Sequence, residues 1–287
     1  MTVPETVLLG AVAGSTIFLG LPLGRLKDPH PRLKAFLNAA SAGILIFLLF
    51  DILSNATRPL EALVLLGRDH RVGPAPLSLP GLFVVYAAGL AAGLLSLLYL
   101  GKYQKARRAA RAVSLMAVAA TGPSAVAVAD AHEARQGALH LGMSIAAGIG
   151  LHNFSEGLAI GQSARGGELS LAVLLVVGFA LHNATEGFGI VGPLAAGGVQ
   201  ASWTYLLTAG LVAGAPTFLG TLVGSYFTNQ YVFVGFLTLA AGAIIYVIAE
   251  LLNTGRRLGA WDITVWGVLA GFLLGLVTEL VIVAAGV

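Results

Sequence analysis

Apolar runs of about twenty residues alternate with short polar breaks along the whole chain, and ~20 apolar residues in helical form suffice to cross the ~30 Å hydrocarbon layer of a bilayer. The pattern predicts eight helices, at about 5–24, 35–55, 81–101, 138–163, 169–192, 203–228, 231–252 and 263–285. No soluble domain is expected outside them, so residues 1–287 read as one all-α integral membrane domain. The first twenty residues lack a basic leader and carry Glu5, which reads as a first span rather than a signal peptide.

Composition agrees with the pattern. Only 10% of the 287 residues are charged, against roughly 25% in ordinary soluble domains, too few to cover a globule in water. Glycine, with 38 residues, is about twice as frequent as usual, and small residues let helix backbones approach closely in lipid. The absence of cysteine rules out thiolate metal sites and leaves His, Asp, Glu, Asn or Met for any metal chemistry.

The net charge of +3 does not point to nucleic acid, because the basic residues lie in short breaks between spans. Odd-numbered loops hold twelve of the 16 Lys and Arg residues and even-numbered loops hold four. That asymmetry predicts both termini outside the cytoplasm, in a multi-pass protein of the cell inner (plasma) membrane. The third loop, about 102–137, is then cytoplasmic, with helical or mobile parts. Its apolar stretch 112–130 is not expected to form a ninth span, because Gly122-Pro123 interrupts it. His132 and Glu133 in the same loop read as solvated.

Ionisable residues inside the predicted spans are few: Asp51, His140, His152, Glu156, His182, Glu186, Glu250 and Glu279. Each is costly in hydrocarbon unless it meets a cavity, a partner or an ion. Four of them belong to a repeat, HNFSEG from His152 and HNATEG from His182. Residues four apart share a helix face, so His152 stacks over Glu156 and His182 over Glu186, with Asn153 and Asn183 to the side. The short connection around Arg165 makes the fourth and fifth helices antiparallel neighbours, and the two motifs then meet at one depth.

Two imidazoles and two carboxylates suit a borderline divalent cation: Zn²⁺ first, with Fe²⁺, Mn²⁺, Co²⁺ and Cd²⁺ as alternatives. Two motif carboxylates balance one dication, so a single metal is expected, with the Asn oxygens peripheral. Gly157 and Gly187 are expected to remove bulk beside it. Asp51 and Glu250 could line a pathway or be solvated at the interface; His140 and Glu279 read as interfacial. No enzyme signature is present, since HExxH and ExxH are both absent. The alternatives to a permease are a metal-binding membrane receptor or a non-transporting scaffold, and after them an intramembrane metalloenzyme.

HNFSEGLAIG at 152–161 and HNATEGFGI at 182–190 resemble the fourth- and fifth-helix signatures of the ZIP family of divalent metal transporters, closest to its bacterial GufA-like branch. The resemblance implies a bundle with inverted repeats and cation movement into the cytoplasm by an elevator-like alternating-access mechanism. It also implies a metal held by His152, Asn153, Glu156, His182, Asn183 and Glu186, with Asp51 and Glu250 as pathway residues; a homodimer is a candidate assembly. Ser155 and Thr185 stand where the family has proline, and Ala215 where relatives carry a metal-bridging Glu. A proline would free a carbonyl and kink each helix; Ser and Thr bend it only mildly by back-bonding.

Overall fold

The computed structural model describes residues 2–25, 30–68, 78–118, 123–165, 169–226, 229–257 and 261–284, except for the side chains of 107–118, 123–133, 169–175, 177–179, 181–182 and a few isolated helical positions. Among the described residues the chain is helical throughout, with no strand. Eight α-helices follow in order: α1 (Val3–Ser15), α2 (Pro31–Arg68), α3 (Leu79–Val118), α4 (Pro123–Arg165), α5 (Leu169–Ala196), α6 (Trp203–Gly224), α7 (Gln230–Arg257) and α8 (Trp261–Ala284). Two 3₁₀ turns, Thr16–Leu19 and Leu21–Arg25, continue α1. Among the described residues, six segments are long and apolar enough to cross a membrane, those of α1 with its 3₁₀ turns, α2, α3, α6, α7 and α8, which makes this a multi-pass membrane protein. The helix α4 is lowered in hydropathy by the very residues of its motif.

Three helices exceed their predicted lengths. α2, α3 and α4 have 38, 40 and 43 residues, or about 57–65 Å at 1.5 Å per residue, roughly twice a hydrocarbon layer. The apolar part of α3 ends at Tyr103, and the helix continues through the basic stretch to Val118. Most of the loop expected at 102–137 is therefore a continuation of α3 and α4. Residues 119–122, with Gly122, lie outside the described residues; Pro123 is the first residue of α4, a position where its missing N–H costs nothing. Asp51, expected near the end of its span, lies instead well inside α2.

The helices sort into two groups by packing. α1, α4, α5 and α6 form one: α4 packs on α6 and α5, and α1 packs on α6 and α5. α2, α3, α7 and α8 form the other, through α2 on α8, α3 on α7 and α2 on α7. Across the boundary run α2 against α5, α4 against α7 and α5 against α8.

Glycine explains how close the pairs within a group come. A Cβ on Gly14 would collide with the Gly214 carbonyl, and the reverse holds for Gly214. Gly157 and Gly161 on α4 interlock with Gly220 and Gly224 on α6, Gly43 with the α8 backbone, and Gly93 with Gly242 on α7. At the α4–α7 boundary, by contrast, Gly148 has ordinary contacts of 3.5 and 3.7 Å with Ala243 and Ile244. The core that spans the boundary is aliphatic, with Leu45, Leu48, Ile52, Ile145, Ile149, Ile244 and Ile248 all buried.

Connections fall on two faces. On one, Arg25 donates to the Ala201 carbonyl at 2.7 Å and lies over Trp203 at 5.3 Å, joining the first and fifth loops. The same face carries Lys102 over Tyr99 and Arg256 over Trp261, each at 5.6 Å. On the other, the Ser78 amide donates to the Tyr231 hydroxyl at 2.9 Å, and Arg165 donates to the Tyr226 carbonyl.

Candidate metal site

His152 and Glu156 lie one turn apart on α4 and meet at 3.2 Å, Nε2 to Oε1. Both are buried, with relative exposures of 3% and 6%. On α5, Asn183 and Glu186 have no exposure at all. Glu186 lies across from α4, within electrostatic reach of His152 and Glu156. The two motifs thus meet in the interior of the first group, at the α4–α5 contact.

The backbone of His182 is part of α5; its side chain lies outside the described residues. Among the described residues, no three His, Asp or Glu side chains close around one point at ligand distance. What the structure brings together is a pair and its neighbours, His152 with Glu156, and Glu186 across from them.

The asparagines are held in matching ways. Asn153 Nδ2 donates to the Ala213 carbonyl of α6 at 3.1 Å, and Asn183 Nδ2 donates to the Ala13 carbonyl of α1 at 3.0 Å. A carbonyl can accept only from the nitrogen end of an amide, so both amide orientations are fixed. Each Oδ1 is then left buried without a hydrogen-bond partner among the described residues. Ala13 is the carbonyl around which α1 changes to a 3₁₀ turn, accepting also from Thr16 Oγ1 at 2.7 Å. Pro216, three residues past Ala213, removes a donor from α6 in the same region.

The motif glycines serve packing rather than open space. A Cβ on Gly157 would strike the Thr217 carbonyl of α6, and one on Gly187 the Ile17 carbonyl beside α1. Ser155 is buried and its hydroxyl points back to the Leu151 carbonyl at 3.5 Å, the back-bonding expected where proline is lacking. Thr185 is half-buried. Ala215 adds no donor on α6.

Asp51 on α2 reaches the site electrostatically, acting on His152, Glu156 and Glu186, while its Oδ1 accepts from Asn55 at 3.0 Å. Glu279 on α8, read from the sequence as interfacial, is half-buried and within reach of Asp51, Glu156 and Arg58. Glu250 bonds Tyr246 one turn back on α7, and His140 is half-buried on α4. The sequence reading placed Glu279 at the interface, and it missed Arg58 and Thr217 because neither belongs to a motif. The oxygen Thr217 Oγ1 is fully buried and without a partner among the described residues; its nearest signal was Pro216.

The described set offers one imidazole, two carboxylates and two amide oxygens, with a third carboxylate on α2 in electrostatic reach, donor types that a divalent cation accepts. No family model matches the chain, and no curated protein matches it.

Proposed function

We propose that the chain is a divalent transition-metal permease, with Zn²⁺ as the first candidate, binding the cation between α4 and α5. The observation that carries this reading is the buried His152–Glu156 pair facing Glu186, with three carboxylates of α2, α4 and α5 in mutual electrostatic reach. Carboxylates at this depth are held at a steep cost unless a cation balances them. His152, Glu156 and Glu186 are the ligands in this reading, with His182 as the fourth that the repeat supplies. The Asn oxygens stand at the edge.

The packing supports an elevator-like movement. Within each group, backbones interlock through several glycines; at the α4–α7 boundary Gly148 makes only ordinary contacts among aliphatic side chains, while at the α2–α5 boundary Gly192 is fitted closely against Ser41. The α4–α7 part of the boundary, without interlocked backbones, suits small sliding of one group on the other. In this reading α4 and α5 also span the membrane, giving eight spans, and both termini lie outside the cytoplasm. The ZIP-like signatures of the two motifs agree with each of these points.

The test is zinc influx into proteoliposomes holding the intact chain. A saturable influx with no chemical change in any other molecule supports the permease. Zinc binding without influx would favour a receptor or scaffold.

A further inference from the structure

The interior of the α1–α4–α5–α6 group holds a set of buried oxygens at the edge of the divalent site. Asn153 Oδ1, Asn183 Oδ1, Thr217 Oγ1 and Glu156 Oε2 are all buried and unpartnered among the described residues. They lie in one layer of the group. Asn153 is bonded to Ala213, one turn before Thr217 on α6, and Gly157, one turn after Asn153, rests on the Thr217 carbonyl. Asn183 is bonded to Ala13, and its neighbour Gly14 packs on the Thr217 side chain.

Buried amide and hydroxyl oxygens left without donors are expensive. Since the amide nitrogens are committed to carbonyls, rotating the side chains cannot relieve them. Oxygen-only donors, mostly neutral, are a poor match for a borderline transition metal and a good one for a hard cation of low charge.

We propose that Asn153, Asn183, Thr217 and Glu156 Oε2 form a second site for a small monovalent cation, Na⁺, whose occupancy is coupled to that of the divalent site. The coupling rests on the permease reading above; the site itself does not. Glu156 is the shared element, with Oε1 on His152 and Oε2 on the oxygen cluster, so each cation steadies the carboxylate for the other.

Two measurements test it. In detergent without divalent metal, NaCl should raise the thermal midpoint of the intact chain saturably, while KCl and choline chloride should not; the shift should vanish in Thr217→Val, an isosteric change that removes only the hydroxyl. In proteoliposomes, an inward Na⁺ gradient should raise zinc influx severalfold over choline, and this ratio should fall to one in Thr217→Val. Equal midpoints in the three salts would overturn the site. A Na⁺-dependent midpoint with zinc influx indifferent to Na⁺, or driven only by a pH gradient, would overturn the coupling. Absence of zinc influx in every salt would instead sink the permease reading, and the midpoint series would still decide the Na⁺ site.

Discussion

Asn153 and Asn183 do the same thing on opposite sides of one helix group: each donates its amide to a carbonyl of a neighbouring helix, Ala213 on α6 and Ala13 on α1, at 3.1 and 3.0 Å. The correspondence extends to Gly157 and Gly187, four residues on, which rest on those same two neighbours. The repeated motif is therefore a repeated docking device as well as a repeated donor set. α4 is fitted to α6 as α5 is fitted to α1.

Asn153→Ala and Asn183→Ala should destabilise the fold by similar amounts. Each removes one buried interhelical hydrogen bond, worth about 0.6–2 kcal/mol in membranes. Thermal unfolding in detergent checks this; a neutral effect at both positions would contradict the docking role.

Gly157→Ala and Gly187→Ala should cost more, because a Cβ at either meets fixed backbone and overpacking of this kind costs about 1–3 kcal/mol or more. Gly189 is the control on the same helix, since a Cβ there has nothing within 4 Å. Size-exclusion profiles and thermal midpoints should rank Gly189→Ala with the parent and the other two well below it.

The face assignment is testable because the chain has no cysteine. Single cysteines at Tyr103 and at Ser78, both exposed and on opposite faces, should label oppositely with an impermeant thiol reagent added outside intact cells. The positive-inside asymmetry predicts labelling at 78 and protection at 103. The reverse result would invert the orientation.

Much of this was legible in the sequence, and for definite reasons. Long apolar runs specify helices in lipid whatever their neighbours, and the 152–157 and 182–187 repeats stand out because ionisable residues are rare in such runs. The contact of His152 with Glu156 follows from helical spacing alone. The bonds of Asn153 and Asn183 do not, since they depend on carbonyls 60 and 170 residues away. The glycines were misread as empty space for the same reason: what fills the room beside Gly157 is α6. Glu279 looked interfacial because hydropathy places it at the end of a span, whereas packing of α8 on α2 brings it towards Asp51. The lengths of α2, α3 and α4 were short by up to half because a helix outside the hydrocarbon leaves no apolar run to mark it.

The central claim is that Glu156 and Glu186 hold a divalent cation in transit between α4 and α5. It is tested most directly by zinc influx into proteoliposomes made with the parent chain, Glu156→Gln and Glu186→Gln, matched for folded protein. A neutral amide keeps the size of the side chain and removes the charge that offsets the ion. Influx should fall in each variant by at least tenfold, a factor equivalent to about 1.4 kcal/mol of lost ion stabilisation. Influx at the parent level in both variants, with the protein correctly folded, would contradict the account.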